Sequence, residues 1–585
     1  MFKRPPETAV FPKRHPHMRY HALACDYDGT LASHGSVCPE TFEALERLRR
    51  SGRMLILVTG RELPDLEQVF PGVVAFDRVV AENGALLYNP ETHEETLLAE
   101  PAPESLVAAL RKKGAKPLSV GRSIIATWEP YQTVALDAIR ALGLEHHVVF
   151  NKGAVMILPS GVNKATGLVA ALAELKLSPH NVVGVGDAEN DHALLSLCEC
   201  AVSVANAVPL LKQHSDLVTS GKSSAGVVEL IDRMLASDLK EVEPRLGRHE
   251  ILLGKNKDGQ DVRFEPYGGN IMVAGTSGGG KTKLASGILE RLVRGGYQFC
   301  VIDPEADFSE FDHSLVIGEA KRPPIADEVM SLLEDPRSNV IVNLLGVRIE
   351  DRPSYFESLL PRLHQLRMRT GRPHWIVVDE SHHLLPARWE KAASMTPADL
   401  SGMLLITVHP GHVSHAVLSA IDTFVVIGES PGETVGAIRE ILGGAMPGSV
   451  PAKLGPGEAL LCRRSQEPTV FRSIPASKDW HRHQRKYAVG ELGADRSFYF
   501  RGPEGKLNLR AQNLALFLQI GRGVDDETWM YHLCNGDYSN WFREKIKDEE
   551  LYRETVGIER QRGIPVAKAR SLLEAAIGKR YTAPE

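Results

Sequence analysis

The stretch His21-Ala22-Leu23-Ala24-Cys25-Asp26-Tyr27-Asp28-Gly29-Thr30 decides how the first part of the chain is read. A short apolar run, bounded by turn residues, has the pattern of a buried strand. This one stops abruptly at two aspartates and a Gly-Thr turn. Runs of the same kind recur at Met54–Val58, Val182–Val185 and Ala201–Val204, each followed by a polar loop and a helix-compatible segment. The rhythm predicts a parallel sheet with helices on both faces, whose active residues lie at the carboxyl ends of the strands. Asp26 and Asp28 emerge at such an end. So do Thr59, in Val58-Thr59-Gly60-Arg61, and Asp187 and Asp191, in Gly186-Asp187-Ala188-Glu189-Asn190-Asp191.

Those residue types supply what phosphoryl transfer needs: a nucleophile, an acid for the leaving oxygen, a divalent cation and neutralisation of the phosphoryl oxygens. Asp26 is the candidate nucleophile. Asp28 is the candidate acid and base. Oxygen atoms of Asp26, Asp28 (through its carbonyl), Asp187 and Asp191 suit Mg²⁺, a hard cation. Thr59 places a hydroxyl near the phosphate, and Lys164, in Gly161-Val162-Asn163-Lys164, supplies positive charge. Asp-Gly-Thr after a strand is also ordinary turn chemistry. Four elements in consistent order outweigh that reading.

With these motifs, residues 19–236 resemble the Cof-type phosphatases of the haloacid dehalogenase superfamily. Ala81-Glu82-Asn83-Gly84-Ala85, Val204-Ala205-Asn206-Ala207 and Ala225-Gly226-Val227 carry the same resemblance. It implies a Rossmann-like core, a mobile cap at about residues 86–155, and a small phosphorylated metabolite as substrate. Lys152 and Arg122 are cap cations within reach of a substrate, although solvated surface charge is the simpler reading of each.

A second phosphate-handling set follows. Gly275-Thr276-Ser277-Gly278-Gly279-Gly280-Lys281-Thr282 succeeds the apolar run Ile271–Ala274 and precedes a helix-compatible stretch. Gly275, Gly278 and Gly280 let backbone amides wrap phosphates at a helix start, Lys281 reaches the terminal phosphates, and Thr282 is a metal ligand for Mg²⁺. Asp379 ends a later strand beside Glu380, as candidates for holding the Mg²⁺ shell and polarising the attacking water. ATP is the expected cofactor. Residues 248–475 resemble the HerA–FtsK superfamily of ring-forming translocases in Asp379-Glu380-Ser381-His382-His383, in the Leu253–Gly259 hairpin and in Ile302-Asp303-Pro304-Glu305. The resemblance implies a RecA-like core and a homo-oligomer. One departure stands out. Thr407-Val408-His409-Pro410 lacks the glutamine expected at the sensor strand.

The overall expectation is an α/β protein with two doubly wound parallel-sheet domains and a helical C-terminal domain. The expected boundaries are a tail at 1–18, a linker at 237–247 and a C-terminal domain at 476–585. At 585 residues, 43% hydrophobic and 24% charged, the chain has the composition of a multidomain soluble protein. A net charge of −6 makes no general case for nucleic acid or anionic membranes. No run is long and apolar enough for a membrane helix, and the N-terminus lacks a secretory pattern. Seven scattered cysteines fit a reducing, cytoplasmic setting. Aromatic and basic residues mix in Arg496–Arg501 and Trp541–Lys545, which is compatible with nucleic-acid stacking. Their helical spacing favours a small core instead. Two further functional readings follow: a nucleic-acid motor with an accessory phosphatase, and a nucleotide-gated phosphatase.

Overall fold

A computed structural model describes residues 18–579 apart from 277–278, 388–399, 443–447, 465, 478–491, 493–495, 547 and 562. The expected tail, except Met18, and Gly278 lie outside the described residues.

The first α/β unit is built on an eight-stranded sheet. Its order is Leu217–Val218, Cys200–Ser203, Val182–Gly186, Ala22–Asp26, Met54–Val58, Arg78–Ala81, Leu86–Asn89, Glu94–Leu97. The first six are parallel and the last two antiparallel. Ala22–Asp26 is buried along its whole length, as expected of a strand with both faces covered by helices. The helix Lys164–Leu175 packs on one face. Asn163 caps it, accepting from the amides of Ala165 and Thr166, and a left-handed Lys176 ends it. Gly167 lets this helix approach the Glu82–Gly84 turn, since a Cβ there would sit 2.7 Å from Gly84 Cα.

The inserted subdomain begins later than the expected residue 86. Leu86–Asn89 and Glu94–Leu97 extend the main sheet as a hairpin. The insert proper is a four-stranded antiparallel sheet, ordered Ser119–Val120, Ile125–Trp128, Ala154–Pro159, His146–Asn151. The helices Glu104–Lys112 and Gln132–Leu142 cover one face through a core containing Leu106, Leu110, Ile139 and Ile157. The pairing of Leu86–Asn89 with Arg78–Ala81 is what assigns these strands to the main sheet.

The expected linker at 237–247 is not a free tether. It forms a short 3₁₀ turn, Lys240–Arg245, and Leu239, Val242 and Leu246 are buried in the first core. A charged stretch hides that every third or fourth residue is apolar.

The second α/β unit has an eleven-stranded sheet. Ile271–Gly275 lies parallel between Thr423–Ile427 and Met403–Thr407, with Trp375–Val378, Phe299–Asp303, Val340–Asn343 and Leu315–Ile317 beyond. Antiparallel strands, including the hairpins Ile251–Asn256/Asp261–Phe264 and Glu458–Arg463/Thr469–Ser473, complete the other edge. The last unit is not purely helical. A small antiparallel pair, Phe498–Phe500 with Leu509–Ala511, sits against its helices. Phe498, Phe500, Phe517, Trp529, Tyr538 and Trp541 form its core, so these rings fill the interior.

The two α/β units meet along the segment 176–181. Arg372, fully buried, donates to the carbonyls of Lys176 (2.5 Å) and Leu333 (3.0 Å). His374 Nε2 lies 3.2 Å from Asn181 Oδ1, and His180 Nε2 lies 2.5 Å from the Gly295 carbonyl.

Candidate active sites

The topology brings the first motif set together at the carboxyl edge of the first sheet. Ala22–Asp26, Met54–Val58 and Val182–Gly186 are adjacent, so Asp26, Thr59 and Asp187 leave neighbouring strands on the same side. Lys164, in the first turn of its helix, is 1% exposed and donates to Asp26 Oδ1 at 2.5 Å and Asp191 Oδ1 at 2.6 Å. Asp191 Oδ2 accepts from the amides of Asp187 and Ala188, both at 2.9 Å. Asp191 is therefore committed on both oxygens, to Lys164 and to the loop. Asp187 Oδ2 accepts from Asn206 at 3.0 Å and from Lys152, while its buried Oδ1 has no hydrogen-bond partner. Lys152 thus departs from the surface-charge reading. It sits at the turn between His146–Asn151 and Ala154–Pro159, with φ +47°, and reaches from the cap into the site. Arg122 keeps that reading: its side chain meets Glu95 at the surface.

Two residues without an expected role complete the set. Arg61 grips Asp28 through two bonds of 2.6 and 2.7 Å. It is part of Val58-Thr59-Gly60-Arg61, where position alone gave no hint of its partner. Glu82 is buried and accepts from the amides of Arg122, Ser123 and Ile124 at 2.8–3.0 Å, tying the cap to the core. Thr59 is buried, its hydroxyl accepting from the Arg61 amide.

Burial pushes Asp26 up, and the charge of Asp191 pushes it further, against the pull of Lys164. Asp187 is also raised, by burial above all, with Lys152 opposing. Burial lowers the Lys164 ammonium, but Asp191 and Asp26 outweigh it and hold Lys164 above its ordinary value. Ligand oxygens of Asp26, Asp187 and Asp191 lie within 4.8 Å of one another. Crowded buried carboxylates of raised pKa lack positive charge. The unpartnered Asp187 oxygen and the hard oxygen donor set fit Mg²⁺. Gly29, φ +81°, keeps the approach open, for a Cβ there would lie 2.3 Å from Asp187 Oδ2.

A buried lysine among aspartates at the carboxyl edge of a doubly wound sheet defines a hydrolase of phosphate esters. The comparisons specify it further. The profile of the haloacid dehalogenase-like hydrolases matches residues 23–120 and 136–231. "Phosphoglycolate phosphatase 2" of Saccharolobus solfataricus is 30% identical over 232 residues, covering 38% of this chain and 95% of that one. A "Phosphoglycolate phosphatase" of Methanothermobacter thermautotrophicus is 31% identical over 221 residues, covering 37% and 98%. Among solved structures, a haloacid dehalogenase-like hydrolase from Bacteroides thetaiotaomicron is 19% identical, with TM-score 0.33, and covers 37% of this chain and 99% of that one. The chain belongs to the haloacid dehalogenase-like hydrolase family, and its first unit is a phosphatase domain of the Cof type.

The second motif set also shares one sheet edge. Gly275 ends its strand with φ +153°, where a Cβ would meet the Ile427 carbonyl at 2.0 Å. Gly280, φ +95°, precedes the helix Lys281–Arg294. Lys281 Nζ donates to the carbonyls of Gly275 and Thr276 at 3.0 and 2.9 Å. Thr282 is half-buried in the first turn of that helix. Asp379 ends Trp375–Val378, separated from the Gly275 strand by Met403–Thr407, roughly 10 Å across two strand spacings. Burial raises Asp379 well above the carboxylate range, and Glu380, Asp307, Asp303 and Glu305 raise it further. Glu380 is left-handed, φ +43°, and 8% exposed. His382 Nδ1 lies 3.1 Å from Thr407 Oγ1 and 3.5 Å from Glu380 Oε2. His409, in the Thr407–Pro410 stretch that lacks the expected glutamine, stacks edge-on against His382 at 5.3 Å.

Proposed function

We propose that the chain is an Mg²⁺-dependent phosphomonoester hydrolase joined to an ATP-binding and ATP-hydrolysing unit. The convergence of Lys164 on Asp26 and Asp191, beside Asp187, supports this reading most directly. Asp26, Asp187 and the Asp28 carbonyl would hold the cation, whose charge would neutralise the phosphoryl oxygens. Asp26 attacks phosphorus, giving an aspartyl-phosphate and expelling the alkoxide. Asp28 protonates that oxygen, then takes a proton from the water that hydrolyses the aspartyl-phosphate. Lys164 opposes the upward push of burial on Asp26 and holds its carboxylate in line. Thr59 and nearby amides cradle the phosphoryl group. Asp191 positions the Asp187 loop and Lys164. Arg61 sets the orientation of Asp28, and must share it when substrate enters. The relatives' names make 2-phosphoglycolate, or a phosphorylated metabolite of similar size, the first substrate to try. Lys152 is suited to meet the anionic end of such a molecule.

In the second unit, the Gly275–Thr282 loop would bind ATP phosphates, with Lys281 and Thr282 as candidates for contacting phosphate and Mg²⁺, Asp379 for holding the cation and Glu380 for orienting the attacking water. A nucleotide-gated phosphatase is the second reading. It is favoured by the contact of His180 with Gly295, the residue that caps the helix starting at Lys281. His180 itself lies between the Lys164 helix and the Asp187 strand.

The test is Mg²⁺-dependent phosphatase activity over a metabolite panel, with and without ATP, in native protein, Asp26→Asn and Lys281→Ala. Loss of hydrolysis in Asp26→Asn alone supports the phosphatase assignment; full activity in that variant overturns it. An ATP response present in native protein and absent in Lys281→Ala supports gating, and indifference to ATP sinks it.

A further inference from the structure

The two α/β units do not close fully against each other. A cavity of about 420 Å³ remains at their junction, and it shares no residue with either site above. The first unit lines it with Val169, Leu172 and Ala173, which stand at i, i+3 and i+4 on one face of the helix Lys164–Leu175. The second unit contributes Val293, near the end of the helix Lys281–Arg294, and Tyr297 just beyond it. Leu172 is 2% exposed and Val169 49%, so this helix face runs from packed core into open space.

The polar side chains of the lining are turned to protein partners. Gln298 Nε2 donates to the carbonyls of Leu333, Asp335 and Ser338 at 3.2, 2.7 and 2.8 Å, and its Oε1 accepts from Arg372 at 2.8 Å. Asn339 Oδ1 accepts from the Phe299 amide at 3.0 Å, and its Nδ2 donates to the His313 carbonyl at 3.2 Å. Tyr297 donates its hydroxyl to Glu199 at 3.3 Å. His313 and Arg337 are exposed, and the Arg337 guanidinium binds Asp335 through two bonds of 3.1 and 3.0 Å. No carboxylate or lysine is among the described residues that line the cavity.

Water in such a space meets carbon on most sides and gains few hydrogen bonds, so an apolar molecule displaces it favourably. A charged molecule would lose its hydration there with no counter-charge to meet. The volume falls within the range of about 300–1,000 Å³ usual for small-molecule sites, which favour domain junctions. We propose that this cavity binds one neutral, predominantly apolar small molecule. That ligand class is distinct from the phosphorylated compounds of the other two sites, and the inference requires neither of their reactions. The occupant would touch at once the helix that begins at Lys164 and the helix that begins at Lys281. It is therefore placed to bear on both sites as an effector.

The test is titration of the full-length protein with N-phenyl-1-naphthylamine, a neutral apolar fluorophore, followed by its emission. Saturation at about one equivalent is expected. Ala173→Phe and Val293→Phe fill the cavity from its two units, and each should weaken binding about tenfold or more. Trp128→Ala, at an exposed indole of the cap, should leave binding unchanged. Absence of saturable binding overturns the proposal, as does binding that Trp128→Ala abolishes or that both cavity variants retain. Binding that weakens as protein concentration rises, with dimers in sedimentation, also overturns it and assigns the cavity to a second copy of the chain. Should both cavity variants fail to fold, hydrogen exchange of the parent protein decides. Slowing by the fluorophore at 169–173 and 293–297 supports the site, and slowing elsewhere alone rejects it.

Discussion

At Lys164 the protein places a fully buried ammonium between two carboxylates, and most of the chemistry of the first site depends on that choice. Breaking a buried ion pair by removing one partner leaves uncompensated charge, at a cost of about 3–5 kcal/mol. Lys164→Met should therefore lower the midpoint of urea unfolding as well as abolish turnover, and an unchanged midpoint would mean that the Asp26 and Asp191 charges are compensated otherwise. Asp26→Asn removes the proposed nucleophile while keeping the shape of the side chain. Its kcat should fall about a thousandfold or more, with the fold intact, as measured by release of inorganic phosphate. His374 offers a residue-scale pH effect. Burial, together with the charges of His180 and Arg372, holds it neutral, well below its ordinary value. The unfolded chain then binds a proton below about pH 6.5 that the folded chain does not, so stability is full above that pH and declines below it, by up to about 1.4 kcal/mol per pH unit. His374→Gln should flatten urea midpoints measured between pH 7 and pH 5, and an unchanged slope would assign the effect to other groups.

Among elements, the cap is the one whose attachment carries function. Its inner loop hangs on the Glu82 carboxylate, which takes the amides of Arg122, Ser123 and Ile124. Glu82 itself follows the Arg78–Ala81 strand, and Asn83 donates its amide to the Thr59 carbonyl. One turn thus joins the cap to the loop that begins at Thr59. Removing a buried acceptor leaves amides unsatisfied, at about 1–3 kcal/mol each. Glu82→Ala should loosen the cap without touching the nucleophile. The expected signature is a KM raised about tenfold and faster hydrogen exchange at 119–126, with the slowest core amides unchanged. A change in kcat alone would argue against a cap-positioning role.

At the scale of the whole molecule, several buried polar contacts join the α/β units, and Arg372 makes one of them through the Lys176 carbonyl. Its guanidinium serves Gln298 Oε1 and the carbonyls of Leu333, Glu334 and Lys176. Burial lowers its pKa to about 10, so it remains charged at neutral pH. Arg372→Met should weaken docking by about 2–4 kcal/mol and split a single calorimetric transition into two, because the units then unfold separately. One undivided transition would show that docking rests on other contacts. If the second unit gates the first, the same variant should also lose any response of phosphatase activity to ATP.

Much of this architecture was legible from local pattern. The strand ending in Asp26 and the loops at Thr59, Lys164 and Asp187 announce themselves because apolar runs and turn residues are short-range signals. The Gly275–Thr282 loop does so because the glycines answer a backbone requirement, φ +95° at Gly280 and no room for a Cβ at Gly275. Long-range choices were not legible. Leu86–Asn89 joins the main sheet rather than the cap because its hydrogen-bond partner is Arg78–Ala81, which local pattern alone does not specify. Lys152 reaches Asp187, and Arg61 grips Asp28, across 35 and 33 residues of chain. The joining segment is pinned by Leu239, Val242 and Leu246, although its charges read as solvated. Sequence dictated which elements form and which chemistry each strand end offers, since those depend on neighbours along the chain. Tertiary structure decided which charges are buried together, since desolvation and pairing depend on distance in space.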